Sequence, residues 1–312
     1  MTKYILLTGG AGFVGQWLFE KLSKDGYKVV VIDNLSNGNV TNIISGTEFY
    51  QIDISTENAL DVLPKYEFDC VIHLAAQASN AISFIDPMLD LHTNQIGTYN
   101  LLNFCKKRNI KRIVYSSSMS TYGQPLKLPT PEDYQMLPDS FYAVHKLSGE
   151  HYCRIFQKEY GIDFTIFRFY TVYGHGQNLA NVNQGLLSIY LSYIINKQPI
   201  LVKGSKERIR DLIHVSDVVN AISMSLNSEV AKNKTYNLGS GESHTIEELI
   251  NMITNEFGYT SGEYPVIYEN GTPGDPFQTK ADTSKIRKEL NWKPQISALD
   301  GIKLTIKSYN SK

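Results

Sequence analysis

Cysteine is scarce and unpatterned. The three present, Cys70, Cys105 and Cys153, are odd in number and lack metal-ligand spacing, which argues against a disulfide framework and against a metal site. Buried free thiols in a reducing cytosol are the expectation, and with them a cytoplasmic protein. Long apolar runs are also missing, so no segment is read as spanning a bilayer. The chain opens directly on a strand pattern, leaving no room for a signal peptide. Neither sign of charge dominates: the formal net charge is −1, so no global field draws the chain to nucleic acid or to a membrane surface. Internal repeats and low-complexity segments are absent too.

What is there is ordinary in amount and specific in order. The 312 residues, 42% hydrophobic and 20% charged, suffice for one large domain or two lobes. Residues 4–15 read YILLTGGAGFVG: an apolar run, then Gly9, Gly12 and Gly15, then apolar positions at helical spacing (Val14, Leu18, Leu22). That is strand, tight turn, helix. Glycine lets backbone N–H groups close on a ligand phosphate, and the helix N-terminus adds unpaired donors and partial positive charge. A second strand, VVVID, ends in Asp33, where a carboxylate can accept the hydroxyls of an adenosine ribose. A lone glycine-rich turn says little; the matching flanks make this a dinucleotide site. Asp33 would repel a 2′-phosphate, and no arginine follows before Arg108, so NAD is expected rather than NADP.

Strand patterns at 4–8, 28–33, 48–53, 70–74, 112–116 and 163–167 alternate with helical stretches such as 16–25 and 91–107. Such alternation implies right-handed crossovers and a doubly wound parallel sheet in an α/β fold. After Arg168 the texture changes. Residues 173–184 read as a glycine- and asparagine-rich loop able to fold over a ligand. Helices are expected at 185–196, 215–225, 245–257 and 283–290, with short strands at 200–203, 236–238 and near 265–268. The division is a dinucleotide-binding domain over 1–168, to which the chain returns near 215–239, and a smaller C-terminal α/β substrate lobe over 169–312.

Tyr142 and Lys146 stand four apart, so on a helix they share a face. A nearby cation favours the phenolate, and such a tyrosine can take a proton from a sugar hydroxyl while hydride leaves the same carbon. Spacing alone proves nothing, since Tyr193 and Lys197 repeat it and read as a surface pair. Context favours Tyr142, which follows the serine cluster 116–118 at the end of a strand, where ligands of parallel sheets sit. A serine hydroxyl there could bond the reacting oxygen and the phenol together.

With Asp33, Asp53-Ile54, the run 73–77 (HLAAQ), Asn94, Ser116–Ser118, Tyr122-Gly123 and Tyr142–Lys146 beside the glycine turn, the chain resembles the extended short-chain dehydrogenase/reductase family. Within it the chain is similar to the nucleotide-sugar epimerase and dehydratase branch, and looks most like UDP-galactose 4-epimerase-like proteins. Arg168 with Val172-Tyr173-Gly174, Arg210-Asp211 with His214 and Asp217, and Gly274-Asp275-Pro276 carry the likeness through nearly the whole chain. The resemblance implies a Rossmann-type sheet, NAD, a nucleotide-sugar substrate and a homodimer paired through the helices at 91–107 and 140–160.

Carried over residue by residue, it implies Ser118 as catalytic hydroxyl, Tyr142 as base and acid, and Lys146 as the residue tuning Tyr142 and holding the nicotinamide ribose. Around the cofactor it implies Gly9, Gly12, Phe13, Val14, Asp33 and Asn34, with Asp53 and Ile54 flanking the adenine. Leu74, Ala75, Ala76, Gln77, Asn94, Ser116 and Tyr170 complete that set. Ser118, Thr171, Arg210 and Asp275 would meet the substrate, Arg210 at the diphosphate; an ion pair of Arg210 with Asp211 or Asp217 is the plain alternative.

Met119 and Ser120 stand where dehydratases of this branch carry acidic residues and where the sugar-acid decarboxylases keep a glutamate. Neither does acid–base work. Hydride and proton transfer remain: a 4-epimerase, or a one-way C4 dehydrogenase or 4-keto-sugar reductase using the same residues. A non-catalytic NAD-binding protein on the same fold is the alternative of another class. Thr272 replaces an arginine usual in the branch, Thr171 an asparagine, and the region of Lys203 an aromatic, which leaves UDP, dTDP, CDP and GDP sugars open.

Overall fold

A computed structural model describes residues 3–43, 46–179 and 185–310. Six strands, β1 (Tyr4–Thr8), β2 (Lys28–Asp33), β3 (Glu48–Gln51), β4 (Phe68–His73), β5 (Arg112–Ser118) and β6 (Asp163–Phe169), join Lys234–Leu238 in a seven-stranded sheet. All neighbours are parallel, in the order Lys234–Leu238, β6, β5, β4, β1, β2, β3. The winding direction reverses at β1, which opens a crevice above the carboxyl ends of β1 and β4.

The strands are continuous apolar runs because both faces are covered. Ile5, Leu7 and Val31 face helix α1 (Phe13–Lys24) and the helix Val215–Leu226 through Leu18, Leu22, Val218 and Ile222. Leu6, Val30 and Val71 face the helices Gly97–Lys107 and Phe141–Tyr160 through Leu101, Leu102 and Phe156. Each such side chain contributes about 1.5–3 kcal/mol by leaving water. The three cysteines are buried free thiols.

β1 and β2 span the residues expected, and other boundaries move for local reasons. β3 stops at Gln51 because Asp53 turns back to accept from Ser55 N at 2.9 Å. β5 runs two residues further than expected, pairing Ser117 with Arg168 and Ser118 with Phe169. α1 begins at Phe13 rather than residue 16, with Gly12 as its N-cap. The stretch 91–107 is not one α-helix: Leu91–Ile96 is a π turn, followed by the α-helix Gly97–Lys107. Two short helices, Asn80–Ile85 and Pro87–Asp90, precede it unforeseen.

A third apolar cluster builds the smaller lobe from Tyr190, Leu191, Ile200, Val202, Leu249 and Ile253. There Ile200–Lys203 pairs in parallel with Val266–Glu269, and Ile246–Asn255 starts on a reciprocal Thr245–Glu248 capping box. The expected loop at 173–184 keeps Tyr173 in a short strand, Thr171–Tyr173, and its residues 180–184 lie outside the described residues.

Candidate active site

A cleft of about 1030 Å³ lies over the carboxyl ends of the strands and runs into the smaller lobe. At its floor Gly9 holds φ +71°, and a Cβ there would stand 2.6 Å from Ala75 N. A Cβ on Gly15 would overlap the Gly9 carbonyl oxygen, so α1 reaches the turn only because both lack side chains. The N-cap Gly12 offers no side-chain acceptor and the first turn carries no acid, which leaves the α1 N-terminal amides for an anion.

Asp33 closes β2 and accepts from Ala11 N at 3.0 Å and Leu35 N at 2.8 Å. Burial pushes its carboxyl up against those two bonds. Asp53 is opposed by burial, yet bonds from Ser55 and Asn34 hold its carboxyl below the usual range. Both acids line the cleft with Gly9, Gly12, Phe13, Val14, Asn34, Ile54, Leu74, Ala75 and Ala76. These groups fit an adenosine diphosphate-ribose: amides for phosphates, a carboxylate for the ribose, an apolar slot for the base. Gln77 and Asn94 do not reach the cleft. They lie one layer back, where Gln77 N donates to Asn94 Oδ1 at 3.1 Å and Asn94 Nδ2 returns a bond to Gln77 O at 2.8 Å, fixing the loop behind Ala75 and Ala76.

Ser116, Ser118, Tyr142 and Lys146 share the opposite wall with Tyr170 and Thr171. Ser118 stands beside Tyr142 and favours its phenolate, and Ser118 Oγ donates to Ser120 Oγ at 3.1 Å. Lys146 Nζ donates to Ser116 O at 2.7 Å, and Ser116 Oγ to His73 O at 2.8 Å. The expectation that Lys146 lowers the phenol fails for the protein alone. Burial pushes Tyr142 up to about 12, Ser118 opposing, and pushes Lys146 down to about 8. His73, bonded to Thr8 and Thr98, is kept neutral by burial and by the Lys146 charge, down to about 3. The look-alike pair is no pair: Tyr193 lines the cleft, while Lys197 lies past the helix Leu186–Ile195 at φ +55°.

At the far end Arg210 bonds Asp275 Oδ2 at 2.7 Å, rather than Asp211 or Asp217. Asp211 instead accepts backbone N–H bonds from Ser240, Gly241 and Ala281, and Asp217 from Gln295 and Ile296. Arg208, which the sequence reading omitted, takes the same Asp275 oxygen, and all three line the cleft. Two buried guanidiniums on one carboxylate leave one net positive charge facing the cleft. The only sequence signal for Arg208 was its place two residues before Arg210, on the same side of an extended segment.

This geometry, a glycine turn and ribose carboxylate facing a Ser–Tyr–Lys wall, defines a dinucleotide-dependent enzyme of the extended short-chain type. The profile of the NAD dependent epimerase/dehydratase family matches residues 5–239, and the chain belongs to that family. A putative UDP-glucose 4-epimerase of Methanocaldococcus jannaschii is 35% identical over 303 residues, 97% of either chain. The structure of Thermotoga maritima UDP-glucose 4-epimerase with UDP-glucose superposes with a TM-score of 0.91 at 34% identity, covering 99% of both chains. The UDP-N-acetylglucosamine 4-epimerase of Methanobrevibacter ruminantium gives 0.90 at 30% identity, again over 99% of both.

Proposed function

We propose that this enzyme is a UDP-hexose 4-epimerase that removes and returns hydrogen at C4 of the sugar. The carrying observation is one cleft lined by the glycine turn, by Ser118, Tyr142 and Lys146, and by Arg208 and Arg210, with Met119 and Ser120 supplying no carboxylate beside the serine. The dehydratases and sugar-acid decarboxylases of the branch this chain resembles carry acidic residues at those positions, and neither Met119 nor Ser120 does acid–base work. NAD, which the glycine turn, Asp33 and Lys146 would hold, would supply the hydride acceptor.

Tyr142 takes the C4 hydroxyl proton and returns it to the other epimer. Ser118 bridges the phenol and the sugar oxygen, and Ser120 orients Ser118. Lys146 holds positive charge beneath the site. Arg208 and Arg210 exchange Asp275 for the diphosphate, whose paired oxygens match two guanidinium forks. The sugar end is thus tethered through the nucleotide, and a keto-sugar can turn without leaving.

The test offers UDP-glucose, UDP-galactose, UDP-N-acetylglucosamine and UDP-glucuronate to the NAD-loaded protein, following nicotinamide absorbance and product stereochemistry together. A C4 epimer without net NADH is expected. Accumulating NADH would instead mark a C4 dehydrogenase, and silence across the panel, with turnover of an added 4-keto-sugar and NADH, a reductase.

A further inference from the structure

Asp90 is a carboxylate with 0% exposure, in the short helix Pro87–Asp90. Its Oδ1 meets His145 Nδ1 at 2.6 Å, and its Oδ2 accepts from Gln77 Nε2. His145 directly precedes Lys146 on the catalytic helix, and Gln77 holds the loop at Ser79 through Ser79 N at 2.6 Å. Both partners present N–H groups to it, and an amide, with a single accepting oxygen, could take only one of the two bonds. The two donors thereby hold a buried carboxylate against the residue next to Lys146.

We propose that Asp90 is an electrostatic positioning residue, a fixed charge held by His145 and Gln77 that sets how readily Tyr142 and Lys146 gain and lose protons. The inference rests on the epimerase reading, because that reaction needs a phenol that both takes a proton and gives it back. Positive charge from Lys146 and from a bound nicotinamide ring would make the phenol too acidic to return it. A negative charge behind the helix restores the balance.

Among the described groups acting on the pair, Asp90 is the one carboxylate that no arginine or lysine binds. Tyr142 is faced by Ser118 and Lys146 on the cleft side, with Tyr115 of β5 nearby. Glu150, one turn beyond Lys146, is bound by Arg168, and His73 is neutral. Burial is the main influence on both residues; Asp90 adds to it at Tyr142 and opposes it at Lys146.

The experiment records the pH profile of kcat for Asp90→Asn and His145→Gln, together with the ultraviolet tyrosinate titration of each NAD-loaded protein against a Tyr142→Phe reference. Asp90→Asn is expected to move both limbs, and the Tyr142 titration, about one pH unit toward acid. His145→Gln keeps the carboxylate and a donor for it, so its limbs do not move toward acid. Unmoved limbs and titration in Asp90→Asn, or an equal acid shift in His145→Gln, overturn the assignment. Should Asp90→Asn not fold, Asp90→Asn/His145→Gln restores an amide-to-amide bond and carries the same expectation. Silent turnover with a displaced phenol titration sinks the epimerase reading and leaves the Asp90 assignment standing.

Discussion

Tyr142 and Lys146 carry opposite costs of burial, and each cost is measurable. The phenol is neutral throughout the ordinary pH range, so catalysis waits on positive charge brought to it. Tyr142→Phe is expected to lower turnover about 10²–10⁴-fold while NAD binding, read by fluorescence quenching, persists. Lys146 releases its proton near pH 8 when folded and near 10.5 when unfolded. Between those values the unfolded chain binds more protons, so this residue's penalty is complete below pH 8 and fades as pH rises toward 10.5. Lys146→Met should therefore raise the melting temperature at pH 7, with a smaller gain at pH 9.5; an equal gain at both would show that the ammonium is not the cause. Arg208 tests the nucleotide end. Arg208→Gln removes a charge-assisted contact of about 1.5–3 kcal/mol, so KM should rise about 10–100-fold with kcat nearly unchanged.

The elements are held in register by a buried charge pair that spacing could not reveal. Glu150 and Arg168, with side chains 0% and 1% exposed, meet at 2.8 Å and tie the helix Phe141–Tyr160 to β6, while Ser117 donates to Glu150 at 2.6 Å from β5. Burial opposes the Glu150 charge, but Arg168 holds its carboxyl below the usual range. Glu150→Gln would strand a buried guanidinium and should cost about 3–5 kcal/mol in a denaturant titration. The sequence announced Arg168 only as the edge of a motif. What was legible was local: the glycine turn, Asp33 at a strand end and the Tyr142–Lys146 face all depend on neighbours within a few residues. What was hidden joins distant segments, such as Arg208 with Asp275 or His145 with Asp90. The helix Ala298–Asn310 went unread because Gly301 interrupts its pattern; that glycine is there because a Cβ would overlap the Tyr173 ring. Gly12 concealed the start of α1 in the same way, reading as turn while serving as cap.

At the scale of the whole molecule, an exposed apolar face adjoins the catalytic helix. Val144 and Ile155, 43% and 53% exposed, lie with Phe141 along the outer side of Phe141–Tyr160, while Tyr99 stands beside them at 48% on Gly97–Lys107. The two helices are already fastened together by the Tyr99–Tyr152 ring contact, and the π turn Leu91–Ile96 adds Gln95 Nε2 donating to Tyr152 Oη at 2.9 Å, so they present one surface. A two-fold axis through such a surface would bury it against its own copy, the isologous arrangement commonest among homo-oligomers. We propose that this face forms a homodimer through four helices. Light scattering should give twice the chain mass for the wild type and a folded monomer for Val144→Glu/Ile155→Glu, since two introduced charges would be desolvated at the centre of the contact. Because Tyr142 and Lys146 project from the other side of the same helix, the monomer should retain the NAD-binding cleft yet lose turnover as that helix loosens. A wild type that scatters as a monomer at working concentration would reject the pairing, and with it any contribution of a second chain to the rigidity of the site.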